Sequence, residues 1–221
     1  IPMNEQNENS GRELDAEIPA RLTEGDIPEE ARQAILLLIQ EIQALRIEIK
    51  ANNERIAELE DLADSDPLTP VVNRRAFVRE IDRARAYVER YGGSATLVYL
   101  DIDGLKVIND GYGHAVGDRV LLAVTKLLVE NVRSSDVVGR LGGDEFGVVM
   151  ERAGRIDAEE KTRSLSALID ALKVPVGNES LSVSAAFGIA EISAGLDAEA
   201  AIAAADAAMY AEKTRKQEST I

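Results

Sequence analysis

The stretch Arg140-Leu-Gly-Gly-Asp-Glu-Phe-Gly-Val-Val-Met150 places two glycines and two carboxylates between two apolar runs. Such runs, joined by a short glycine-containing segment, are typical of a β-hairpin, and glycine lets a bulky ligand approach the main chain closely. Asp144 and Glu145 put negative charge at the same turn. Carboxylate oxygens beside a polyanion suit a magnesium ion that also binds substrate phosphates. The stretch therefore predicts a metal and nucleotide site, although taken alone it is equally compatible with a solvated turn.

The composition limits the class of protein. The chain has 221 residues and a net charge of −15. It has no cysteine, which excludes disulfide frameworks and thiolate metal sites. Residues 1–64 carry 16 acidic and 6 basic side chains, and neither part of the chain clusters its Lys and Arg, so we expect no nucleic-acid partner. No apolar run is long enough to span a membrane and no signal-peptide pattern opens the chain. We therefore expect no membrane contact in this chain and a cytoplasmic location, conditional on any sequence upstream.

The N-terminal third of the chain divides into two parts. Residues 1–28 are rich in polar residues, glycine and proline, and we expect a flexible lead-in. In residues 29–64 apolar residues alternate by three and four positions, which predicts a coiled-coil dimerisation helix, and Ile at a with Leu at d favours two parallel strands. The a positions are Ile35, Ile42, Ile49 and Ile56, and the d positions are Leu38, Leu45, Asn52 and Leu59, of which Asn52 is a polar interruption.

The charged residues that flank this seam agree with a parallel homodimer. Glu41 at position g faces Arg46 of the partner subunit at position e, and Arg55 in the same way faces Glu60 of the partner subunit. The alternative is a single amphipathic helix packed on its own domain. Such a helix more often shows a wider apolar face that repeats every 3.6 residues or so.

Residues 65–217 predict an α+β domain that begins after the helix-breaking prolines Pro67 and Pro70. The expected order is helix, strand, helix, strand, strand, helix, strand, helix. This order indicates a ferredoxin-like or nucleotide-cyclase-type mixed sheet with helices largely on one face. The expected elements are a helix over 73–92, a strand over 95–102, a glycine-rich connection over 104–118 that leads into a helix, hairpin strands over 136–141 and 146–151, a helix over 157–172, a strand over 181–191 and a helix over 198–216.

The strand over 95–102 ends at two carboxylates, Asp101 and Asp103. We expect them on opposite faces of the sheet, so that only one faces the hairpin tip. The polar, glycine-rich connection that follows is a place where α/β proteins carry ligands.

Short motifs follow one another in a fixed order along this domain. They are Asp66-Pro-Leu-Thr69, Asn73-Arg-Arg75, Asp101-Ile-Asp103, Lys106, Asn109-Asp110, Gly113-His114, Gly117-Asp118, Gly142-Gly-Asp-Glu-Phe146 and Ala205-Asp-Ala-Ala-Met-Tyr-Ala-Glu-Lys213. With these motifs, the chain from about Asp66 to Lys213 resembles the GGDEF domains, the diguanylate cyclases that join two GTP molecules into cyclic di-GMP. Several spaced motifs in the right order make a mere solvated turn improbable.

The resemblance implies a site with two Mg²⁺ ions, for which Mn²⁺ can substitute. The implied catalytic residues are Glu145, which ligates metal or assists deprotonation of the attacking hydroxyl, Asp144, and the phosphate-side Lys106. The implied metal ligands are Asp101, the backbone carbonyl of Ile102, Asp144 and Glu145, and the implied substrate-binding residues are Asn109 and Asp118 for the guanine and Gly142, Gly143 and Lys213 for the phosphates.

Some positions depart from the family pattern. Many members carry a bulky residue at the position of Gly104, Phe at that of Leu105, and an arginine at that of Gln217, so one phosphate contact is in doubt. His114, the only histidine, is expected to be structural rather than catalytic, because the metal site already has its oxygen ligands.

Arg133 and Asp136 form an Arg-Ser-Ser-Asp motif shortly before Gly142. At this offset the pair resembles the family's inhibitory site, which binds the cyclic di-GMP product, and arginine suits phosphate recognition and stacking on guanine. The alternative is a solvated cation at a helix end followed by a turn residue.

The resemblance implies that two GTP are condensed into cyclic di-GMP and two pyrophosphates, with one GTP on each protomer of a homodimer and feedback inhibition by the product. One alternative is a receptor that binds GTP or cyclic di-GMP without turnover, against which the intact Asp101, Asp144 and Glu145 argue. A second is a coiled-coil scaffold with an inert head, which explains only the N-terminal helix. The lack of a Gly-x-x-x-x-Gly-Lys motif argues against a P-loop NTPase.

Overall fold

The computed structural model describes residues 28–177 and 179–218, so that residues 1–27 of the expected lead-in lie outside the described part. The chain divides into two compact units between residues 61 and 62. Within the described ranges, no helix is both long and apolar enough to cross a membrane.

Helix α1 spans Glu29–Asp64; its residues up to Asp61 belong to the first unit and its last three to the second. Its predicted seam is open to solvent, because the large apolar side chains at a and d are mostly exposed and Ile35 is half-buried. A stripe of exposed apolar residues on a long helix is what a coiled-coil strand presents in a single chain. The helix therefore fits a coiled coil, and its parallel dimer stays a prediction. The exposed members of the seam are Leu38, Ile42, Leu45, Ile49, Ile56 and Leu59.

The second unit is built on a mixed sheet, as predicted, but this sheet has five strands where the sequence predicted four. The single strand expected over 181–191 is divided into two, Glu179–Ser182 and Ala185–Ile192. The strand order of the sheet is β1-β3-β4-β2-β7; β1 is parallel to β3 and the other pairs are antiparallel, while β5 and β6 form a separate hairpin. The elements are β1 Val72–Asn73, α2 Arg74–Tyr91, β2 Ala95–Ile102, α3 Leu105–Tyr112, α4 His114–Asn131, β3 Val137–Arg140, β4 Glu145–Glu151, α5 Arg155–Ala171, β5 Lys173–Val176, β6 Glu179–Ser182, β7 Ala185–Ile192 and α6 Ala198–Glu218.

Helices cover both faces of the sheet, where the sequence predicted them largely on one. Helices α3, α4 and α5 pack on one face and α2 and α6 on the other. The central strand β2 shows the division, because Val98 and Leu100 enter the first core while Leu97 and Tyr99 enter the second. Every residue from Ala95 to Leu100 is buried. Such a continuous apolar strand is typical of a sheet covered on both sides.

The predicted connection over 104–118 is largely helical. Gly104 (φ 69°) precedes α3 and Gly113 (φ 83°) separates α3 from α4, and both adopt left-handed backbone angles that favour glycine. Leu105 and Ile108, three residues apart, are buried in the first core. Burial of these two apolar side chains stabilises a short helix here. The glycines and polar residues of the segment had instead predicted a loop.

The start of α2 is bonded to the last turn of α1. The Asn73 amide caps α2 and also donates to the carbonyl oxygen of Ala63 at 2.7 Å. Arg75 donates to the same carbonyl at 2.9 Å and to Asp64 at 3.0 Å, and Arg79 pairs with Asp64 as well. The hydrogen bond from Arg79, with the charge of both arginines, lowers the pKa of Asp64. The bonds to Ala63 satisfy a carbonyl that a helix end leaves unpaired.

Candidate active site

The pairing of β2 with β4 brings the predicted metal ligands to one end of the sheet. Asp101 lies directly opposite Glu145 in the antiparallel ladder. The ladder extends one step further, because the Ile102 amide donates to the carbonyl oxygen of Asp144 at 3.0 Å. The end of β2 and the turn before β4 are therefore adjacent, and Asp101, Asp144 and Glu145 are half-buried there.

The turn between β3 and β4 closes on Glu145. The amides of Leu141 and Gly142 both donate to the carbonyl oxygen of Glu145, at 2.8 and 3.3 Å. A Cβ atom added to Gly142 would collide with the Glu145 carboxylate, whereas one added to Gly143 would meet nothing within 4 Å. The carboxylate thus lies against the bare main chain of the glycine turn, where the sequence predicted that phosphates bind.

Arg140 and Asp66 support this turn, a role that the sequence did not predict for either residue. Arg140 Nη1 lies 3.2 Å from Asp66 Oδ1, and Nη2 donates to the carbonyl oxygen of Gly143 at 2.7 Å. Asp66 Oδ1 also accepts from the amide and hydroxyl of Thr69, at 2.8 and 2.7 Å. Burial alone would raise the pKa of Asp66, but the bonds from Thr69 and Arg140 lower it below its ordinary value. Both residues lie in stretches of sequence quoted above, and that position was the signal that could have indicated their role.

Tyr99 is a second residue that the sequence analysis missed. It stands two residues before Asp101, on the same side of β2, and is only 3% exposed. Its phenol interacts electrostatically with the Glu145 side chain. Burial, together with the neighbouring Glu145 carboxylate, raises the pKa of Tyr99 above its usual range. The alternation of the strand was the signal that could have placed it beside the site.

Lys213 of α6 reaches the same carboxylates. Its Nζ donates to Asp101 Oδ1 at 2.5 Å and lies 3.5 Å from Asp103 Oδ1. The expectation that the two aspartates face opposite sides of the sheet is wrong, because side chains two residues apart on an extended chain share a side. Asp103 is fixed by Ser184, whose hydroxyl donates to Oδ2 at 2.8 Å. Partial burial would lower the pKa of Lys213, but the bond to Asp101 and the charge of both aspartates raise it.

The predicted guanine-binding residues come from two neighbouring helices. Asn109 lies on α3 and is half-buried, and Asp118 lies exposed on α4. A Cβ atom added to Gly117 would collide with the Asn109 amide. The amide therefore packs against α4 at Gly117, the residue before Asp118. Lys106 is exposed in the first turn of α3.

The structure says less about the roles of four other residues. His114 is exposed at the first residue of α4, so its structural role stays a prediction. Leu105 is a core residue, and Gly104 adopts the left-handed angles described above. The side chain of Gln217 lies outside the described residues.

Arg133 and Asp136 form a tight turn between α4 and β3. The Arg133 amide donates to Asp136 Oδ2 at 3.0 Å, and the Asp136 amide donates back to the Arg133 carbonyl at 3.0 Å. The Asp136 carboxylate is buried by this bonding, while Arg133 is exposed. Both residues line a pocket of about 600 Å³, whose other walls include Ser65, Val71 and Val132. None of the predicted metal ligands lines this pocket.

The predicted metal ligands are all oxygen donors. Carboxylates and a backbone carbonyl at one end of a sheet fit Mg²⁺ or Mn²⁺, which prefer hard ligands. Among residues 28–177 and 179–218, however, no three His, Asp or Glu side chains are already arranged as a metal site. The Asp101 carboxylate is instead directed at Lys213.

A comparison with protein families matches residues 63–219 to the model described as "Diguanylate cyclase, GGDEF domain". The chain belongs to the GGDEF domain family. The predicted family and fold class are therefore confirmed, and the chain is similar to named GGDEF proteins along most of its length.

Among curated relatives, diguanylate cyclase DgcP of Pseudomonas aeruginosa is 31% identical over 176 residues, which are 80% of this chain and 26% of that protein. DgcS of Shewanella oneidensis is 32% identical over 177 residues, which are 80% of this chain and 58% of the relative. The chain thus spans less than two thirds of the length of these relatives.

Two solved structures are similar along most of their own chains. The coiled coil and GGDEF domain of DgcB from Caulobacter crescentus, in complex with cyclic di-GMP, has a TM-score of 0.72 and 27% identity, covering 80% of this chain and 94% of that one. Diguanylate cyclase SiaD from Pseudomonas aeruginosa, in complex with its activator SiaC, has a TM-score of 0.66 and 28% identity, covering 95% of this chain and 85% of that one. The DgcB likeness includes a coiled coil, which agrees with α1.

Proposed function

We propose that this chain is a diguanylate cyclase, which condenses two GTP into cyclic di-GMP and two pyrophosphates. The observation that carries the proposal is the pairing of Asp101 with Glu145 beside the glycine turn, in a chain of this family. In each step the 3′-oxygen of one GTP bonds to the α-phosphorus of the other. The bond from that phosphorus to the bridging oxygen breaks, and pyrophosphate leaves. Two such steps close the ring, and no covalent protein intermediate is required.

The residues of this site have two proposed roles, metal binding and GTP binding, according to their chemistry. Asp101, the Ile102 carbonyl, Asp144 and Glu145 would hold two Mg²⁺ ions, or Mn²⁺ in their place, and the metal supplies activation of the hydroxyl and neutralisation of the leaving group. Glu145 also accepts the hydroxyl proton. The other residues bind GTP: Asn109 and Asp118 hold the guanine edge, Gly142 and Gly143 allow the phosphates to approach the main chain, and Lys106 and Lys213 neutralise them.

The reaction joins two nucleotides, so we propose one GTP on each protomer of a homodimer. The parallel coiled coil of residues 29–64 would bring two catalytic domains of residues 65–217 together, after a flexible lead-in over 1–28. The exposed apolar seam of α1 supports this assembly. Positioning two bound substrates lowers the entropic part of the barrier without further chemical groups. We place the reaction in the cytoplasm, where GTP is available.

The Arg133 and Asp136 pocket is the proposed site of product inhibition. An exposed guanidinium beside a pocket of about 600 Å³ suits a ligand that carries both phosphates and flat bases. The similar DgcB structure is a complex with cyclic di-GMP. Product at this pocket would lower the rate without competing for the metal ligands.

Turnover of GTP tests the proposal directly. The purified full chain is incubated with GTP and Mg²⁺, and cyclic di-GMP and pyrophosphate are quantified by mass spectrometry and a coupled assay. We expect one cyclic di-GMP per two pyrophosphates, loss of both with chelator, and no cyclic product from ATP. Binding of GTP or cyclic di-GMP without turnover under these conditions would contradict the proposal and support a receptor.

A further inference from the structure

Lys213 forms a half-buried ion pair with a predicted metal ligand. Its Nζ lies 2.5 Å from Asp101 Oδ1, and the two side chains are 33% and 17% exposed. Asp103 adds a second carboxylate 3.5 Å from the same nitrogen. The Lys213 ammonium is thus close to two negative charges at the end of β2.

The rest of α6 fixes where Lys213 can reach. A Cβ atom added to Gly188 of β7 would collide with the helix backbone at Ala205 and Met209, so helix and sheet are in close contact there. Lys213 stands one helical turn after Met209 and therefore projects from the same side of α6. The lysine is consequently aimed at the carboxylates by a helix that has little freedom to move away.

An ammonium and a divalent cation compete for the same carboxylate oxygen. The ammonium is a compact charge that binds a carboxylate as a small cation does. A divalent ion that ligates Asp101 Oδ1 must first separate this pair and then tolerate the positive charge beside it. Phosphate oxygens are negatively charged, as the Asp101 carboxylate is, and can replace it as the partner of the lysine.

We propose that Lys213 is the resident counter-cation of Asp101 in the nucleotide-free protein, and that nucleotide phosphates draw it away when the divalent cation enters. This inference rests on the proposed function, because it assumes that metal and phosphates meet at Asp101. Lys213 is then a positioning residue as well as a phosphate contact. Metal and nucleotide should bind cooperatively, since each removes an obstacle to the other.

Binding of Mn²⁺ tests this directly, without turnover. Free Mn²⁺ is measured by electron paramagnetic resonance in titrations of the full chain, with and without a GTP analogue that has a methylene between the α- and β-phosphorus. For the parent we expect weak Mn²⁺ binding alone and binding about 5- to 150-fold tighter with the analogue, the usual range of coupling. Lys213→Met should bind Mn²⁺ alone roughly tenfold more tightly than the parent, and the analogue should improve it much less.

Two further variants separate displacement from a general change in charge. Lys106→Met removes an equal charge from the helix that follows β2, and we expect it to leave Mn²⁺ binding without nucleotide close to that of the parent. Lys213→Arg keeps a cation and should keep the weak binding of the parent. Tighter binding in Lys106→Met equal to that in Lys213→Met would overturn the inference, as would unchanged Mn²⁺ affinity in Lys213→Met.

These outcomes are distinguishable from failure of the proposed function. If the parent converts GTP but Lys213→Met binds Mn²⁺ no more tightly, only the counter-cation role is wrong. A parent that binds no Mn²⁺ with or without the analogue contradicts the metal site, and both proposals with it.

Discussion

The guanidinium of Arg140 lies 3.2 Å from the carboxylate of Asp66 and donates its other terminal nitrogen to the hairpin turn at Gly143. Asp66 is in the segment between α1 and α2, so a single side chain connects that segment to the glycine turn of the site. Both side chains are largely buried, at 14% and 12% exposure. A shielded pair of this kind is costly to break by removing one partner.

Asp66→Asn should therefore destabilise the second unit and loosen the turn. We expect a loss of about 1–3 kcal/mol in the free energy of unfolding near neutral pH, because a charged acceptor of several hydrogen bonds is lost. The measurement is chemical unfolding monitored by circular dichroism. The matched control is Asp64→Asn, another arginine-paired aspartate, which is more exposed and should lose less.

The effect of Asp66→Asn should also depend on pH. The pKa of Asp66 in the folded protein is lowered, so its contribution to stability is fully present above the ordinary aspartate value of about 4 and is lost as the pH falls through the lower folded value. The difference in unfolding free energy between parent and variant should accordingly be largest at neutral pH and shrink below about pH 4. A difference that stays constant from pH 7 to pH 3 would show that charge on Asp66 is not the cause.

Asp144→Asn should abolish cyclisation and leave the fold intact. Asp144 lies in the turn before β4, where its backbone carbonyl holds Ile102, and the substitution keeps that carbonyl. Only the carboxylate charge, which we propose faces the metal, is removed. We expect no cyclic di-GMP above background and an unchanged unfolding midpoint, with Asp170→Asn on the exposed side of α5 as the control. Near-normal turnover of Asp144→Asn in excess Mg²⁺ would show that the site is assigned wrongly.

Tyr99→Phe should slow turnover with little change in stability. The substitution keeps the ring in the core and removes the hydroxyl that interacts electrostatically with Glu145. Without this interaction the Glu145 carboxylate is less well oriented, so we expect kcat to fall about three- to thirtyfold while KM for GTP changes little. Tyr87→Phe, at an exposed ring on α2, is the control. Equal kinetics for the parent and Tyr99→Phe would exclude a positioning role.

The sequence predicted local elements better than it predicted the contacts between distant segments. Strand β2 was predicted with its observed bounds, because an unbroken apolar run followed by Asp101 leaves little choice. Strand β1 is two residues long, and its partner β3 is distant in sequence, so no local pattern reveals it. The same holds for Arg140 and Asp66, which are 74 positions apart. Contacts between distant segments depend on the whole fold, whereas the ends of strands and the glycine turns are determined by residues that are neighbours in the sequence.

Arg133→Ala should relieve product inhibition with little effect on the initial rate. The Asp136 carboxylate holds the turn through the Arg133 backbone amide, which alanine keeps. Arg133→Ala therefore removes the exposed guanidinium alone and is a sharper test than a change at Asp136. We expect the concentration of cyclic di-GMP that halves the rate to rise at least about tenfold. Arg163→Ala on α5 is the control, and a parent that micromolar cyclic di-GMP does not inhibit would contradict the inhibitory site.

Deletion of residues 1–61 tests whether α1 assembles the reaction. The second unit has its own two cores, and this deletion keeps Ala63 and Asp64, which Asn73 and Arg75 bind. We expect the truncated chain to be folded and monomeric by sedimentation velocity. Its rate per mole should be low at nanomolar protein and should rise with protein concentration, because two separate domains must then meet by diffusion.

Replacing residues 30–61 with an unrelated parallel dimeric zipper separates tethering from any specific contact of α1. A tether raises the effective concentration of the second domain to about the millimolar range, far above that of a dilute assay. The zipper fusion should therefore recover much of the parent's rate at nanomolar protein, while an antiparallel zipper should recover less. If the truncated chain is as active per mole as the parent at nanomolar concentration, the coiled coil does not assemble the active site, and two catalytic domains must find each other through the second unit alone.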